Sequence, residues 1–157
     1  MAEKTKKVLG SLQTLCARRE YCSADMYAKA LSRLDGDERA AAEVVEALVR
    51  DRYVDDARYA AAFARDKASL DGWGPVKIRY ALTARRLDRA CIDAALSQVD
   101  ADQASGRLRA LLTARWKQLK GDPQARLKLI RYALSRGYEY AQVEALVREV
   151  SAPDQAI

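Results

Sequence analysis

Ile78-Arg79-Tyr80-Ala81-Leu82 recurs 52 residues later as Ile130-Arg131-Tyr132-Ala133-Leu134. The same step backwards from Ile78 lands on Met26, followed by Tyr27 and then Ala30-Leu31. In each copy apolar residues fall at i and i+4, the period of one helix face. A second echo links Val44-Val45-Glu46-Ala47-Leu48-Val49-Arg50 with Val143-Glu144-Ala145-Leu146-Val147-Arg148. An offset that works twice argues for three copies of a three-helix unit. Each unit alone buries only part of its apolar faces, and stacking buries the rest. The expected fold is therefore all-α: three tandem three-helix repeats in an elongated, curved array. The expected boundaries are 1–54, 55–99 and 100–150, with a frayed tail over 151–157.

The surrounding punctuation places nine helices. Gly74-Pro75 is a start signal, because proline fits the first helical position and its missing N–H costs nothing there. It opens a fifth helix carrying Ile78 and Leu82. Asp55 caps the fourth, with Tyr59, Ala60 and Phe63 inward, and 70–74 is a turn. Asp88 caps the sixth, which buries Ile92, Ala95 and Leu96. Upstream, helices are expected over about 7–18, 23–33 and 37–50. Ser23 is the expected cap of the second, and Asp37 that of the third, whose stripe is Val44, Val45, Leu48 and Val49. Downstream, Asp100 or Asp102 opens the seventh, with Leu108, Leu111, Leu112 and Leu119 on one face. Asp122-Pro123 repeats the cap-then-proline signal. The eighth ends before Gly137, a residue suited to the left-handed conformation, and the ninth spans about 140–150.

Composition agrees. Half of the 157 residues are hydrophobic, about a third are charged, and phenylalanine occurs once. Alanine, leucine and arginine favour helix over strand. The net charge is +6 and the pI about 9.3, which fits an anionic partner or simply a solvated surface. No apolar run approaches the ~20 residues of a membrane span, and residues 1–7 are polar without a secretory segment. A cytoplasmic protein is expected. Cys16, Cys22 and Cys91 are odd in number and lack CxxC spacing, so reduced thiols are expected.

The chain contains no histidine, which removes the commonest general base and zinc ligand. It has no P-loop, and Gly72-Trp73-Gly74 is not a dinucleotide fingerprint. Asp55-Asp56, the one tight carboxylate pair, reads as a cap and a partner of the positive helix end. No enzymatic activity, cofactor or metal is expected. The cations carry more information. From their spacing, Arg65, Lys67, Lys77, Arg79, Arg85, Arg86, Arg115, Lys117, Lys128 and Arg131 are the candidate contacts for an anionic partner. Each phosphate they neutralise would release counterions. The competing reading is that they cap helix ends or solvate the surface. Trp73 and Trp116 can stack on a base or pack internally.

Three segments resemble the RecX family of bacterial regulatory proteins. Leu15-Cys16-Ala17-Arg18-Arg19-Glu20-Tyr21 resembles its N-terminal L-x-x-R-R-E/D-H/Y segment. Tyr53-Val54-Asp55-Asp56-Ala57-Arg58-Tyr59-Ala60 resembles its Y-L/V-D-D-x-R-F/Y-A signature. Gly72-Trp73-Gly74-Pro75-Val76-Lys77-Ile78 resembles its G-x-G-P-x-R/K-I turn. Cys22 stands where the family usually has serine, and Leu34-Asp35-Gly36 replaces a more usual K/R-G-F/Y. The resemblance implies a protein that binds RecA and its filament on single-stranded DNA, inhibiting ATP hydrolysis, strand exchange and filament growth. The motif residues Asp55, Asp56, Gly74 and Pro75 read as structural. A monomer is expected. The alternatives are a general basic DNA-binding protein that competes for DNA, and a helical scaffold for another protein.

Overall fold

The computed structural model describes residues 1–153, and the last four residues of the expected tail lie outside the described residues. Among the described residues there are nine α-helices and no strand: α1 Glu3–Arg18, α2 Ser23–Arg33, α3 Glu38–Arg50, α4 Asp56–Ser69, α5 Pro75–Ala84, α6 Arg89–Ser97, α7 Ala101–Gln118, α8 Ala125–Ser135 and α9 Tyr140–Val150. None of them is long and apolar enough to cross a membrane.

Local chemistry sets most of the starts. The carboxylates of Asp37, Asp88 and Asp100 accept from the amides of Ala40, Cys91 and Gln103, three residues on in each case. These are side-chain caps on donors that the helix itself leaves unpaired. Pro75 takes the first position of α5. Three starts differ from the sequence expectation. α1 begins at Glu3, four residues early, with Thr5 buried and its neighbours 3, 4 and 6 exposed. Ser23 is the first residue of α2 and caps nothing; its own amide is taken by an aspartate from α4. α8 begins at Ala125, not at Pro123, because Asp122 accepts from the Gln124 amide and forms a tight turn first.

The described chain divides into two compact units. The first takes Met1–Phe63 and Leu82–Ala95; the second takes Ala64–Ala81 and everything from Leu96 on. In the first, α1, α2 and α3 pack on one another around Leu12, Met26, Ala30, Val44 and Leu48. In the second, α7, α8 and α9 pack around Leu108, Leu112, Leu129, Ala133 and Val143. Each fully buried leucine contributes roughly 1.5–3 kcal/mol by leaving water.

Burial recurs along the chain with a period close to, but not equal to, that of the pentapeptide. The buried pairs Ala41/Val44, Ile92/Ala95 and Val143/Leu146 are 51 residues apart. So are the residues preceding α3, α6 and α9, namely Asp37, Asp88 and Glu139. In α5 the buried residues are Ile78 and Leu82, but in α8 they are Leu129 and Ala133, with Ala125 at its start. Ile130 is half-buried and Leu134 is exposed. The repeated pentapeptide is therefore one position out of phase with the repeated core. The stripe expected on α3 is narrower too: Val44 and Leu48 are buried, while Val49 is 47% exposed.

Candidate functional site

The residues of the family-like motifs hold helices together. In the first unit Asp55 Oδ1 accepts from the Arg58 amide at 3.0 Å and caps α4. Asp56 Oδ1 accepts from the Ser23 amide at 2.7 Å, tying the start of α4 to the start of α2. Arg58 Nε lies 2.9 and 3.0 Å from the two carboxylate oxygens of Glu20, and its Nη2 reaches the carbonyls of Arg52 and Tyr53 at 3.4 Å. Glu20 belongs to the first motif and Arg58 to the second, so the two motifs meet in one clamp.

The third motif does the same in the second unit. Gly74 donates its amide to the Arg136 carbonyl at 2.7 Å, and Val76 donates to Gly137 at 2.9 Å. A Cβ on Gly74 would lie 2.3 Å from the Gly137 oxygen, and a Cβ on Gly137 would lie 2.2 Å from Lys77 Cβ. Gly137 also has φ +90°. Only two glycines allow this backbone approach. Arg136 donates to the Asp71 carbonyl, and Arg107 donates to the carbonyls of Ala68 and Ser69 at 2.6 and 3.1 Å. These two guanidiniums satisfy acceptors at the end of α4 and in the following turn.

The expected contact residues fall on both units. In the first, Arg85 is half-buried, with its guanidinium 4.8 Å from the centre of the Phe63 ring. Arg86 is exposed, has φ +61°, and lies in the turn after α5. In the second, Lys67 and Lys77 place their ammoniums 4.7 and 4.6 Å from the centre of the Trp73 indole. Lys67 also pairs with Asp71 at 3.0 Å. Arg65 stands 3.9 Å from Asp66, and Arg79 is exposed. Arg115 covers the Tyr132 ring at 4.0 Å, and Lys128 pairs with Asp122 at 2.5 Å. That lysine, with the Gln124 amide, holds the Asp122 carboxyl below the usual carboxylate range. Lys117 and Arg131 are exposed and make no ion pair among the described residues. The structure thus brings Lys67 and Lys77 together on Trp73, and sets Arg85 and Arg86 along one groove of the first unit. Trp116 packs against the core of the second unit.

For four cations the role is not legible in the sequence, although Arg107 and Arg136 stand among the third unit's candidate cations there. Arg136 and Arg107 act on carbonyls far away in the chain, which no local pattern announces. Arg19 and Lys29 both lie over the Tyr21 ring, at 4.4 and 5.9 Å. The Arg19-x-Tyr21 spacing is the available signal, and it lies inside a segment that reads only as a motif.

The thiols are poor nucleophiles. Burial pushes Cys22 up to about 11, and raises Cys16 and Cys91 as well, with nearby Glu20 and Asp88 adding to the respective shifts. At neutral pH all three stay protonated, and the thiolate is the reactive form. Burial likewise raises the Tyr59 and Tyr138 phenols, against nearby arginines. Among the described residues no three His, Cys, Asp or Glu side chains are grouped to hold a metal ion.

Comparison with known proteins agrees with this geometry. Residues 55–96 match the family model described as RecX, second three-helix domain. The regulatory protein RecX of Xanthomonas axonopodis pv. citri (strain 306) is 34% identical over 136 residues, covering 85% of this chain and 82% of that protein. The chain belongs to the RecX family. RecX of Pseudomonas entomophila (strain L48) is 30% identical, over 85% of this chain and 84% of its own. The crystal structure of RecX from Lactobacillus salivarius superposes with a TM-score of 0.85 at 18% identity, covering 96% of this chain and 98% of that one. A second RecX crystal structure gives 0.81 at 20% identity, over 92% and 71% of the two chains. The all-helical RecX fold and a regulatory role follow from these matches, and DNA repair and recombination are consistent with that family.

Proposed function

We propose that this RecX-family chain binds RecA and RecA filaments on single-stranded DNA and restrains ATP hydrolysis, strand exchange and filament growth. The observation that carries the reading is a division of labour among charged residues. The motif groups Glu20, Asp55, Asp56 and Arg58 are spent on one another and on helix ends. Lysine and arginine still outnumber aspartate and glutamate by 28 to 22. Exposed cations such as Arg86, Lys117 and Arg131 have no carboxylate partner among the described residues, and a solvated cation without a partner is free to meet a phosphate or an acidic protein surface.

The contact set is Arg65, Lys67, Lys77, Arg79, Arg85, Arg86, Arg115, Lys117, Lys128 and Arg131. Asp55, Asp56, Gly74 and Pro75 serve the scaffold. The protein acts in the cytoplasm as a monomer, without cofactor, metal or chemistry of its own. Its repeats are 1–54, 55–99 and 100–150, followed by the short tail. The 51-residue recurrence of buried pairs supports that division.

The same unpaired cations favour a second reading, a plain basic DNA binder that acts by competing for DNA. One titration separates the two: RecA's single-stranded-DNA-dependent ATP hydrolysis, with this protein added at substoichiometric ratios. Loss of hydrolysis at amounts too small to coat the DNA is the expected result. Loss only at DNA saturation refutes the filament reading in favour of competition, and no loss at all refutes both.

A further inference from the structure

The first unit carries a basic groove of about 500 Å³, lined by Arg19 and Tyr21 of the first family-like segment, Tyr59 of the second, and Asp25, Lys29 and Arg85 from outside them, with one alanine. Three cations face one carboxylate. The guanidinium of Arg19 stacks 4.4 Å from the Tyr21 ring centre, and the Lys29 ammonium lies 5.9 Å from the same centre. The two charges are therefore no farther apart than the sum of those distances, about one Debye length at an ionic strength of about 0.1 M. Neither has an ion pair among the described residues. The nearest acid in sequence, Glu20, has both oxygens occupied by Arg58. Three cations against the single carboxylate of Asp25 leave an excess of positive charge that an anion stabilises.

The ring under Arg19 also pre-orders it. A guanidinium held over a ring keeps its N–H groups available to oxygens, as phosphate binding requires. Arg19 and Lys29 both approach the Tyr21 ring, so the ring serves the cations as a platform. We infer that this groove holds the phosphodiester backbone of a single strand of nucleic acid, through Arg19, Lys29 and Arg85, without reading its bases. The inference rests on the nucleic-acid part of the proposed function and names the place where that contact is made.

The test is binding of the full-length chain to a fluorescent oligo(dT), measured over a range of salt concentrations. The variant Arg19→Gln/Lys29→Gln is compared with Lys6→Gln/Lys7→Gln, which removes the same charge from exposed positions on α1. Thermal melts check that both are folded. The groove variant is expected to bind several-fold more weakly than the control. The slope of log Kobs against log salt should fall by about 0.7 for each phosphate that the variant no longer neutralises. Equal behaviour of the two variants overturns the inference, since bulk charge then explains the weakening. Displacement of the oligonucleotide by millimolar inorganic phosphate also overturns it, by marking a free-anion site. Reduced binding to DNA-free RecA with an unchanged DNA slope overturns it in favour of a protein contact. If the unaltered protein shows no salt-dependent DNA binding, the nucleic-acid part of the proposed function fails, and the groove with it. If that protein binds and only the groove variant is unaffected, the groove alone fails.

Discussion

Gly74→Ala should be among the most damaging single substitutions in the second unit. The added Cβ would stand 2.3 Å from the Gly137 oxygen, 2.5 Å from its carbonyl carbon and 2.7 Å from the Tyr138 nitrogen. All three are backbone atoms, so no side chain can swing away. The start of α5 must retreat by roughly 1 Å to restore ordinary contact. That retreat stretches the Gly74-to-Arg136 and Val76-to-Gly137 hydrogen bonds, now 2.7 and 2.9 Å. Overpacking of this kind costs about 1–3 kcal/mol, and each weakened hydrogen bond adds about 1 kcal/mol. The sum is about 3–5 kcal/mol, and at ~2–4 °C per kcal/mol for a chain of this size Tm falls by roughly 6–20 °C. Gly106 supplies the control. It lies inside α7 with nothing within 4 Å of its would-be Cβ, so Gly106→Ala should stabilise by about 0.5–1 kcal/mol. Melting curves followed by far-UV circular dichroism read both. A Gly74→Ala protein melting within about 2 °C of the parent, below the smallest shift this reasoning allows, or two glycine variants shifting in the same direction, would refute the close-approach argument.

Four further outcomes are expected. Asp55→Ala should cost on the order of 1 kcal/mol through removal of the cap, and an unchanged melt would mean that the carboxylate serves a partner instead. Asp56→Ala should cost at least as much, about 1–3 kcal/mol, because it leaves the partly buried Ser23 amide without an acceptor; equal melts for Asp56→Ala and the parent would break the proposed tie between α2 and α4. The Cys22 thiol has its pKa raised by burial to about 11, so its contribution to stability is full below the ordinary thiol range and is lost as pH climbs from about 9 to about 11; Cys22→Ala should flatten the pH dependence of Tm over that window, and an undiminished slope would exclude it as a cause. Charge reversal at Lys77, Arg85 and Arg86 together should weaken inhibition of RecA ATP hydrolysis without lowering Tm by more than a few degrees, and unchanged inhibition would remove those residues from the contact set.

How much can be read in advance depends on how local the chemistry is. Asp37, Asp88 and Asp100 act on amides three residues away, and a short-range pattern suffices to find them. Ser23 misleads because the acceptor for its amide comes from Asp56, more than 30 residues on, and a serine at a helix start looks the same whether or not it caps. Asp122-Pro123 looks like Gly74-Pro75, yet only the latter opens a helix; at Asp122 the carboxylate bonds two residues ahead and delays the first turn. The pentapeptide repeat points to the right helices and the wrong register. Identity between α5 and α8 runs at 52 residues, while burial runs at 51, so Tyr80 is 79% exposed and Tyr132 is half-covered under Arg115. The candidate surface is the least legible part. Spacing along a helix tells which cations share a face, but not that Arg19 and Lys29 meet over one ring.

The turns that follow α2, α5 and α8 show why scaffold and surface can change separately. The left-handed residues of these turns are Asp35 and Gly36 in the first, Arg86 in the second and Gly137 in the third. Asp35, Arg86 and Gly137 are 51 residues apart, so the same backbone shape recurs with three different side chains. At Gly137 the choice is forced, since a Cβ would strike Lys77. At Asp35 the carboxylate takes Lys4 at 2.5 Å. At Arg86 no ion pair accounts for the residue among those described, and an L residue in this conformation costs of the order of 1 kcal/mol relative to glycine. Arg86→Gly should therefore remove that strain and raise Tm by about 2–4 °C, while it takes a cation from the proposed contact surface and weakens inhibition of the filament. Opposite signs in the two assays mean that the arginine is kept for what it meets. A protein that loses stability and keeps full inhibition would show instead that Arg86 packs against its own fold.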